Sequence, residues 1–224
     1  MSRTARYESL NLMDDKPIHV IGVGAIGRQV AVTLAIMGWP GEVHIYDFDT
    51  VEEVNLGTQG FMPKWLGSPK VEATLQDVRD INPECQLHIH NGRIGMNVVR
   101  NMEGVVFCCV DSMETRQQVF QNLNSFGPES VDLFLDARMS SEVFDIWAAY
   151  DEATKEQYNE GWFPDSEANQ DTCTARSTYY CANVAAGFMI AQLTKHTRGI
   201  PLESNVRLDM TGMGTTVHYA PVPT

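Results

Sequence analysis

Apolar positions recur along the chain in two rhythms, one of strands and one of helices. Ile18-His19-Val20-Ile21 is a short β-branched run. It meets Gly22-Val23-Gly24-Ala25-Ile26-Gly27 and opens into Arg28 to Ala35, a pattern that predicts strand, tight turn and helix. Gly38-Trp39-Pro40-Gly41 stops the helix. A second strand, Val43 to Tyr46, ends at Asp47. The two strands and the helix between them make a βαβ unit, which requires a right-handed crossover and parallel strands. Asp49 to Lys70 has mixed polarity and reads as loop with short helical turns, followed by a helix from about Pro69 to Ile81 that Asn82-Pro83 terminates. Gln86 to His90 alternates like a strand, and Val105 to Val110 is a continuous apolar run of buried-strand type that ends at Asp111. Thr115 to Asn124 reads as helix, Leu133 to Asp136 as a strand closed by a carboxylate, and Phe144 to Tyr150 as a further strand. Residues 151–176 are polar and read as an exposed excursion. Ser177 to Thr197 is small and apolar, as in a buried helix, and Asn205 to Ala220 supplies two short strands.

This alternation predicts an α/β fold, a Rossmann-like, doubly wound and mainly parallel sheet with antiparallel strands toward the C-terminus. The 224 residues, 43% of them apolar, suffice for one core, and no repeat, low-complexity block or linker divides them. We therefore read 1–224 as a single domain, with a core at about 15–140, a crossover excursion at about 151–176 and C-terminal helix and strands at about 177–220.

Charge narrows the function. Sixteen Lys plus Arg stand against 29 Asp plus Glu, a net charge of −13. Such a chain is poorly suited to hold a nucleic-acid backbone or an anionic membrane over a broad surface, although a local pocket for a small anion stays open. No apolar run approaches the roughly 18 residues of a membrane span, and the N-terminal segment lacks the layout of a signal peptide, so we expect a cytoplasmic protein. Cysteines 85, 108, 109, 173 and 181 are odd in number and contain no CxxC, which suggests neither a disulfide framework nor a four-thiolate zinc site. His88 and His90 alternate on one strand face, and without further ligands they read as structural.

Gly22-Val23-Gly24-Ala25-Ile26-Gly27 is a GxGxxG between a strand and a helix. There, backbone amides and the helix N-terminus are placed to hold phosphate. The alternative is a tight turn with close helix–strand packing and no ligand. Asp47, about twenty residues beyond, ends the second strand where a carboxylate can hold a ribose. To this point an NAD-dependent oxidoreductase and an ATP-using enzyme fit equally well. The Walker lysine signature, GxSxG and HExxH are all absent.

An ordered series follows: Asp47-Phe48-Asp49-Thr50-Val51-Glu52, Asn55-Leu56, Gln59, Gly67-x-Pro69-Lys70-Val71, Ile81-Asn82-Pro83 and Asp111-Ser112-Met113-Glu114-Thr115-Arg116. In order and spacing it resembles the ThiF/MoeB/HesA family, bacterial relatives of the ubiquitin-activating enzymes, over about residues 5–140 and more weakly to the helix near 195. The resemblance implies an ATP-dependent adenylyltransferase that activates a carboxylate as an acyl-adenylate. The acceptor it suggests is the C-terminus of a small ubiquitin-like or sulfur-carrier protein, with a peptide or small-molecule acid as further options. It implies nucleotide contacts from Gly22, Gly24, Ala25, Ile26, Gly27, Asp47, Asp49, Asn55, Gln59, Lys70 and Asp111, with Lys70 neutralising the transferring phosphoryl group and Asp111 holding Mg²⁺. Asp111 also suits the N-cap of the helix that follows, and Asn55 a turn.

It implies a homodimer too, in which an N-terminal arginine, Arg6 or Arg3, reaches the partner's site. A thioester-forming cysteine would be Cys173, with Cys181 the weaker candidate. Arg138 is a candidate for the substrate carboxylate. Two departures stand out. The family's arginine before Gln59 is here Thr58, with Arg28 as a possible substitute, and the paired CxxC motifs of the structural zinc are missing, so no structural zinc is expected. An NAD-dependent oxidoreductase and a nucleotide-binding protein with weakened catalysis are the alternative functions.

Overall fold

The computed structural model describes Thr4, Tyr7 and residues 14–124, 131–167 and 177–219. Eight strands form one sheet, and in chain order they alternate with helices as follows. The first half contains β1 (Ile18–Ile21), α1 (Ala25–Met37), β2 (Val43–Asp47), α2 (Glu53–Gln59), α3 (Lys70–Ile81), β3 (Leu87–Asn91), α4 (Met96–Val99) and β4 (Gly104–Cys108). The second half contains α5 (Met113–Asn124), β5 (Val131–Ser140), β6 (Val143–Ala149), α6 (Glu152–Glu160), α7 (Tyr179–Thr197), β7 (Asn205–Asp209) and β8 (Gly214–His218). The sheet order is β3-β2-β1-β4-β5-β6-β7-β8. Pairing is parallel from β3 to β5 and antiparallel from β5 to β8, as the alternation of strands and helices predicts.

Both faces of the sheet carry helices. Ile18, Val20, Val43, Ile45, Phe107 and Leu135 pack against apolar residues of α1 and α7 on one face. Ile21, Val106, Cys108 and Phe134 meet Val99, Val119, Phe120 and Tyr158 on the other. Burial on both faces explains why the central strands read as unbroken apolar runs.

Three segments depart from the sequence reading. The four-residue helix α4 has no signal in the pattern, because one turn is too short for a helical period to show. The stretch after β2 contains a full two-turn helix, α2, closed by a capping box between Glu52 and Asn55. The polar stretch from residue 151 is not a plain exposed excursion. Asp151 caps α6 through the Thr154 N–H at 2.8 Å, and Tyr158 on that helix is fully buried.

The histidines also gather in a way that only register reveals. His19, His44 and His88 stand opposite one another on three adjacent strands, and Tyr46 and His90 form the next row. The rings stack, His19 on His44 at 4.9 Å and His44 on His88 at 4.8 Å between centroids. His19 Nδ1 lies 3.1 Å from the Tyr46 hydroxyl. Among the described residues, no group of three or more His, Cys, Asp or Glu is placed to hold a metal ion.

Burial, then the neighbouring His44 and His90, lower the His19 pKa from 6.5 to about 4. The unfolded chain therefore takes up this proton near pH 6.5, whereas the folded chain does so only near 4. The stability that neutral His19 confers is present above about 6.5 and is lost as pH falls toward 4, about 3 kcal/mol for the full shift. Urea unfolding at pH 7 and at pH 4.5 should show this loss in the native chain and a much smaller one in His19→Gln. An equal acid loss in both would remove His19 as its source.

Candidate functional site

The sheet order turns back at β1, since the chain goes to β2 on one side and to β4 on the other. The carboxyl ends of strands flanking such a point are where an open α/β sheet offers a crevice. The glycine turn follows β1, Asp47 closes β2 and Asp111 follows β4, so the chain brings all three to one edge of the sheet.

The three glycines of the turn have different reasons. Gly22 has φ +87°, and a Cβ on it would lie 2.8 Å from the Cys109 carbonyl oxygen. A Cβ on Gly27 would lie 1.9 Å from the Gly22 oxygen. Close packing accounts for both without any ligand. Gly24 is different. Its φ is −77°, and a Cβ there would meet only the Gln59 side chain, at 3.7–3.9 Å. No clash at Cβ demands glycine at this position, and the space beside it leaves room for close approach by an outside group. Beside it, the Gln59 Oε1 is buried without a hydrogen-bond partner. Helix α1 starts here with no side-chain cap and no acidic residue in its first turn. Ala25 and Ile26 present the first backbone N–H groups, the Ile26 side chain lying in the core. An uncapped helix and a gap at Gly24 suit a nucleotide phosphate chain, while the orphaned Gln59 oxygen, an acceptor, suits a donor such as a ribose hydroxyl.

Asp47 is turned toward the same bend. Its carboxylate accepts the Val23 N–H at 2.8 Å and the Asp49 N–H at 2.9 Å. Burial raises its pKa, while these two bonds and the charge of Lys70 act against that rise. Lys70 is the first residue of α3 and is buried; its ammonium sits on the Asp49 Oδ2 at 2.9 Å, and its own N–H donates to the Asp49 carbonyl at 2.9 Å. The start of α3 is thus locked to the end of β2. Asn55, also buried, accepts the Glu52 N–H at 2.9 Å and so holds the start of α2.

Asp111 lies on the turn between β4 and α5, and its side chain is exposed. The capping role open to it falls elsewhere. Ser112 Oγ accepts the Thr115 N–H at 3.2 Å, and Asp165, from beyond α6, accepts the Met113 N–H at 2.8 Å. Among the described residues, Asp111 enters no hydrogen bond or ion pair. A free carboxylate beside a phosphate cradle fits Mg²⁺, which binds through one or two carboxylates with phosphate oxygens and waters.

Other candidates are committed to structure. Arg28 is buried, pairs with Asp77 at 2.6 Å and stacks on the Phe61 ring at 4.9 Å, so it does not replace the family's missing arginine. Thr58 bonds back to the Val54 carbonyl at 2.8 Å. Arg138 donates to Asp136 at 2.8 Å and to the Gly161 carbonyl at 2.7 Å, a salt bridge within the fold that leaves its Nη2 buried without a partner among the described residues. Burial pushes the Cys108 thiol up to about 12 and Cys181 up to about 11, which disfavours the reactive thiolate in both. Arg3, Arg6 and Cys173 lie outside the described residues. The residue that sequence reading missed is Asp165, whose partner Met113 is 52 positions away, beyond any local pattern.

Gly24→Ala separates a nucleotide cradle from a bare turn. The methyl group has room, so unfolding should shift by no more than about 1 kcal/mol, while ATP binding measured by calorimetry should be lost. Unchanged binding would return this bend to a purely structural role.

Comparison with known proteins shows the family and the fold. The model of the ThiF family matches residues 3–222. Ubiquitin-like modifier-activating enzyme 5 of Caenorhabditis briggsae is 32% identical over 127 residues, 50% of this chain and 28% of that protein. Its counterpart in Oryza sativa subsp. japonica is 29% identical over 143 residues, 57% of this chain and 34% of that protein. The chain thus spans about a third of the length of these relatives. Among solved structures, E. coli MccB with MccA-N7isoASN superposes with a TM-score of 0.74 at 15% identity, covering 100% of this chain and 74% of that one. MccB with ATP gives 0.71 at 16% identity, covering 100% and 72%. At such identities the likeness is one of fold.

Proposed function

The chain belongs to the ThiF family, and from that premise we propose that it is an ATP-dependent adenylyltransferase which activates a carboxylate. The acceptor we favour is the C-terminus of a small ubiquitin-like or sulfur-carrier protein. The relatives named as ubiquitin-like modifier-activating enzymes support that choice, and the MccB complex with MccA-N7isoASN keeps a peptide in view. The observation that carries the reading is the open space at Gly24 directly before the uncapped N-terminus of α1.

In this reading the N–H groups of the turn and of Ala25 and Ile26 hold phosphate oxygens, and Asp47 holds the ribose. A substrate carboxylate oxygen forms a bond to the α-phosphorus as the bond to pyrophosphate breaks, and pyrophosphate leaves. The protein makes no covalent bond in this step. Its task is to place cations and donors where negative charge spreads. Lys70 would exchange Asp49 for phosphate oxygens, and Asp111 would hold Mg²⁺, which supplies further charge neutralisation at the phosphates. We further propose a cytoplasmic homodimer of single-domain subunits, with Arg6 reaching a second copy's site, and a later step in which the Cys173 sulfur bonds to the acyl carbon of the acyl-adenylate and AMP leaves.

Pyrophosphate exchange into ATP, run with a panel of carboxylates, tests the reading. Lys70→Ala and Asp111→Ala should each lower exchange by about 100-fold or more. Asp111→Ala should leave the melting temperature unchanged, because its side chain is exposed. Cys173→Ala should leave exchange intact. Exchange at the native rate in either of the first two variants would refute the assigned roles, and hydride transfer with NAD in place of exchange would move the chain to the oxidoreductases. Thr58 and the committed Arg28 favour one further reading, a nucleotide-binding protein with weakened turnover. That reading predicts ATP binding without exchange for any carboxylate.

A further inference from the structure

The turn that carries Asp111 is held from two sides. From its own helix, the buried Arg116 donates to the Val110 carbonyl, directly before Asp111, and to the Ala137 carbonyl at 2.8 Å. Arg116 also pairs with Asp136, a fully buried carboxylate that accepts Arg138 Nε at 2.8 Å and the Tyr158 hydroxyl of α6 at 3.0 Å. From the other side comes the chain after α6. Trp162 Nε1 donates to the Met113 carbonyl at 3.2 Å. Asp165 accepts the Met113 N–H at 2.8 Å and the Ser112 hydroxyl at 3.2 Å, and its own N–H donates to Glu114 Oε1 at 3.1 Å.

Every residue of the turn except Asp111 is therefore tied down by direction-specific bonds. Ser112 caps α5 at the Thr115 N–H, and one Asp165 oxygen takes a second N–H of the helix start, that of Met113. The other Asp165 oxygen on the Ser112 hydroxyl and the Asp165 N–H on Glu114 are contacts that capping does not require, and they set the orientation of the turn. A group that binds a cation through a single carboxylate depends on such an orientation.

We propose that Asp165 is a positioning residue for Asp111, and that the short segment after α6 that carries Trp162 and Asp165 thereby fixes the metal-binding carboxylate of the nucleotide site. The proposal rests on the adenylation reading for what the metal does, but not for its test. Asp165 touches neither substrate nor metal; it acts by holding residues 112–114 so that the Asp111 carboxylate faces the phosphates.

The experiment is a double-mutant cycle read by Mn²⁺ binding, with electron paramagnetic resonance on the full chain in the presence of a non-hydrolysable ATP analogue. Asp165→Ala should weaken Mn²⁺ binding by about tenfold. Asp165→Asn, which keeps an acceptor for the Met113 N–H, should recover most of the loss. In an Asp111→Ala background, Asp165→Ala should cause no further loss, because its effect runs through Asp111. In pyrophosphate exchange, Asp165→Ala should raise the Mg²⁺ concentration needed for half-activity while the KM for ATP holds. Equal Mn²⁺ affinity of Asp165→Ala and the native chain, or additive losses in the cycle, would overturn the proposal. So would a fall in exchange that tracks only the folded fraction measured by thermal unfolding. Absence of exchange in the native chain would instead overturn the adenylation reading, and the Mn²⁺ cycle would still decide the role of Asp165.

Discussion

The close approach of α1 to the end of β1 governs the site. With 1.9 Å between a Cβ on Gly27 and the Gly22 carbonyl oxygen, only hydrogen fits there. That approach lets the helix begin within a few residues of the strand, with its first N–H groups at the sheet edge. It also brings the Val23 N–H to the Asp47 carboxylate, which fixes the end of β2 against the turn. A packing requirement of the core and the cradle proposed for negative charge are thus the same piece of backbone. Two of its glycines answer to the packing, and the third leaves the space that the proposed cradle uses.

An acidic chain that is to hold a polyphosphate must place its few positive charges carefully. With a net charge of −13, long-range attraction is unavailable, so the work falls to short-range dipoles and to Lys70. Lys70 is buried, yet the side chain of its partner Asp49 is 46% exposed. In the proposed exchange of Asp49 for phosphate, water can solvate the carboxylate left behind, so no buried charge is stranded. Arg28 is placed in the opposite manner. Its partner Asp77 is buried with it, and Trp65 Nε1 also bonds to that carboxylate at 3.2 Å. Withdrawing Arg28 would leave Asp77 unpaired in the core, a cost commonly about 3–5 kcal/mol. Lys70 is thus free to change partners, and Arg28 is fixed.

The parts legible in the sequence are those whose cause is local. Central strands such as Val105 to Cys108 read clearly because both faces are buried. The glycine turn, Asp47 and Lys70 read clearly because their order along the chain is the order of strand ends. The α6 helix was hidden because only Thr154 and Tyr158 are buried, four positions apart on an otherwise polar helix. The histidine rows need the register of three strands, and Asp165 needs the return of the chain across 52 positions. Arg28 looked free because a sequence does not display Asp77, 49 positions away, that claims it.

The buried charges around Asp136 belong to the same logic as the glycine turn. Apolar packing stabilises an element without specifying its direction, because it scales with buried area and is indifferent to orientation. Hydrogen bonds to particular carbonyls are directional. Arg116 and Arg138 share one carboxylate and reach the carbonyls of Val110, Ala137 and Gly161, which tie the end of β4 and the chain after α6 to β5. Tyr158 completes the set, with burial, first, and Asp136, second, keeping its hydroxyl protonated as a donor. Among the described residues, these groups pair with a fully buried carboxylate, whereas the partner of Lys70 is half exposed. The chemistry proposed for the sheet edge needs both kinds, charges held in one arrangement and a charge that can change partners.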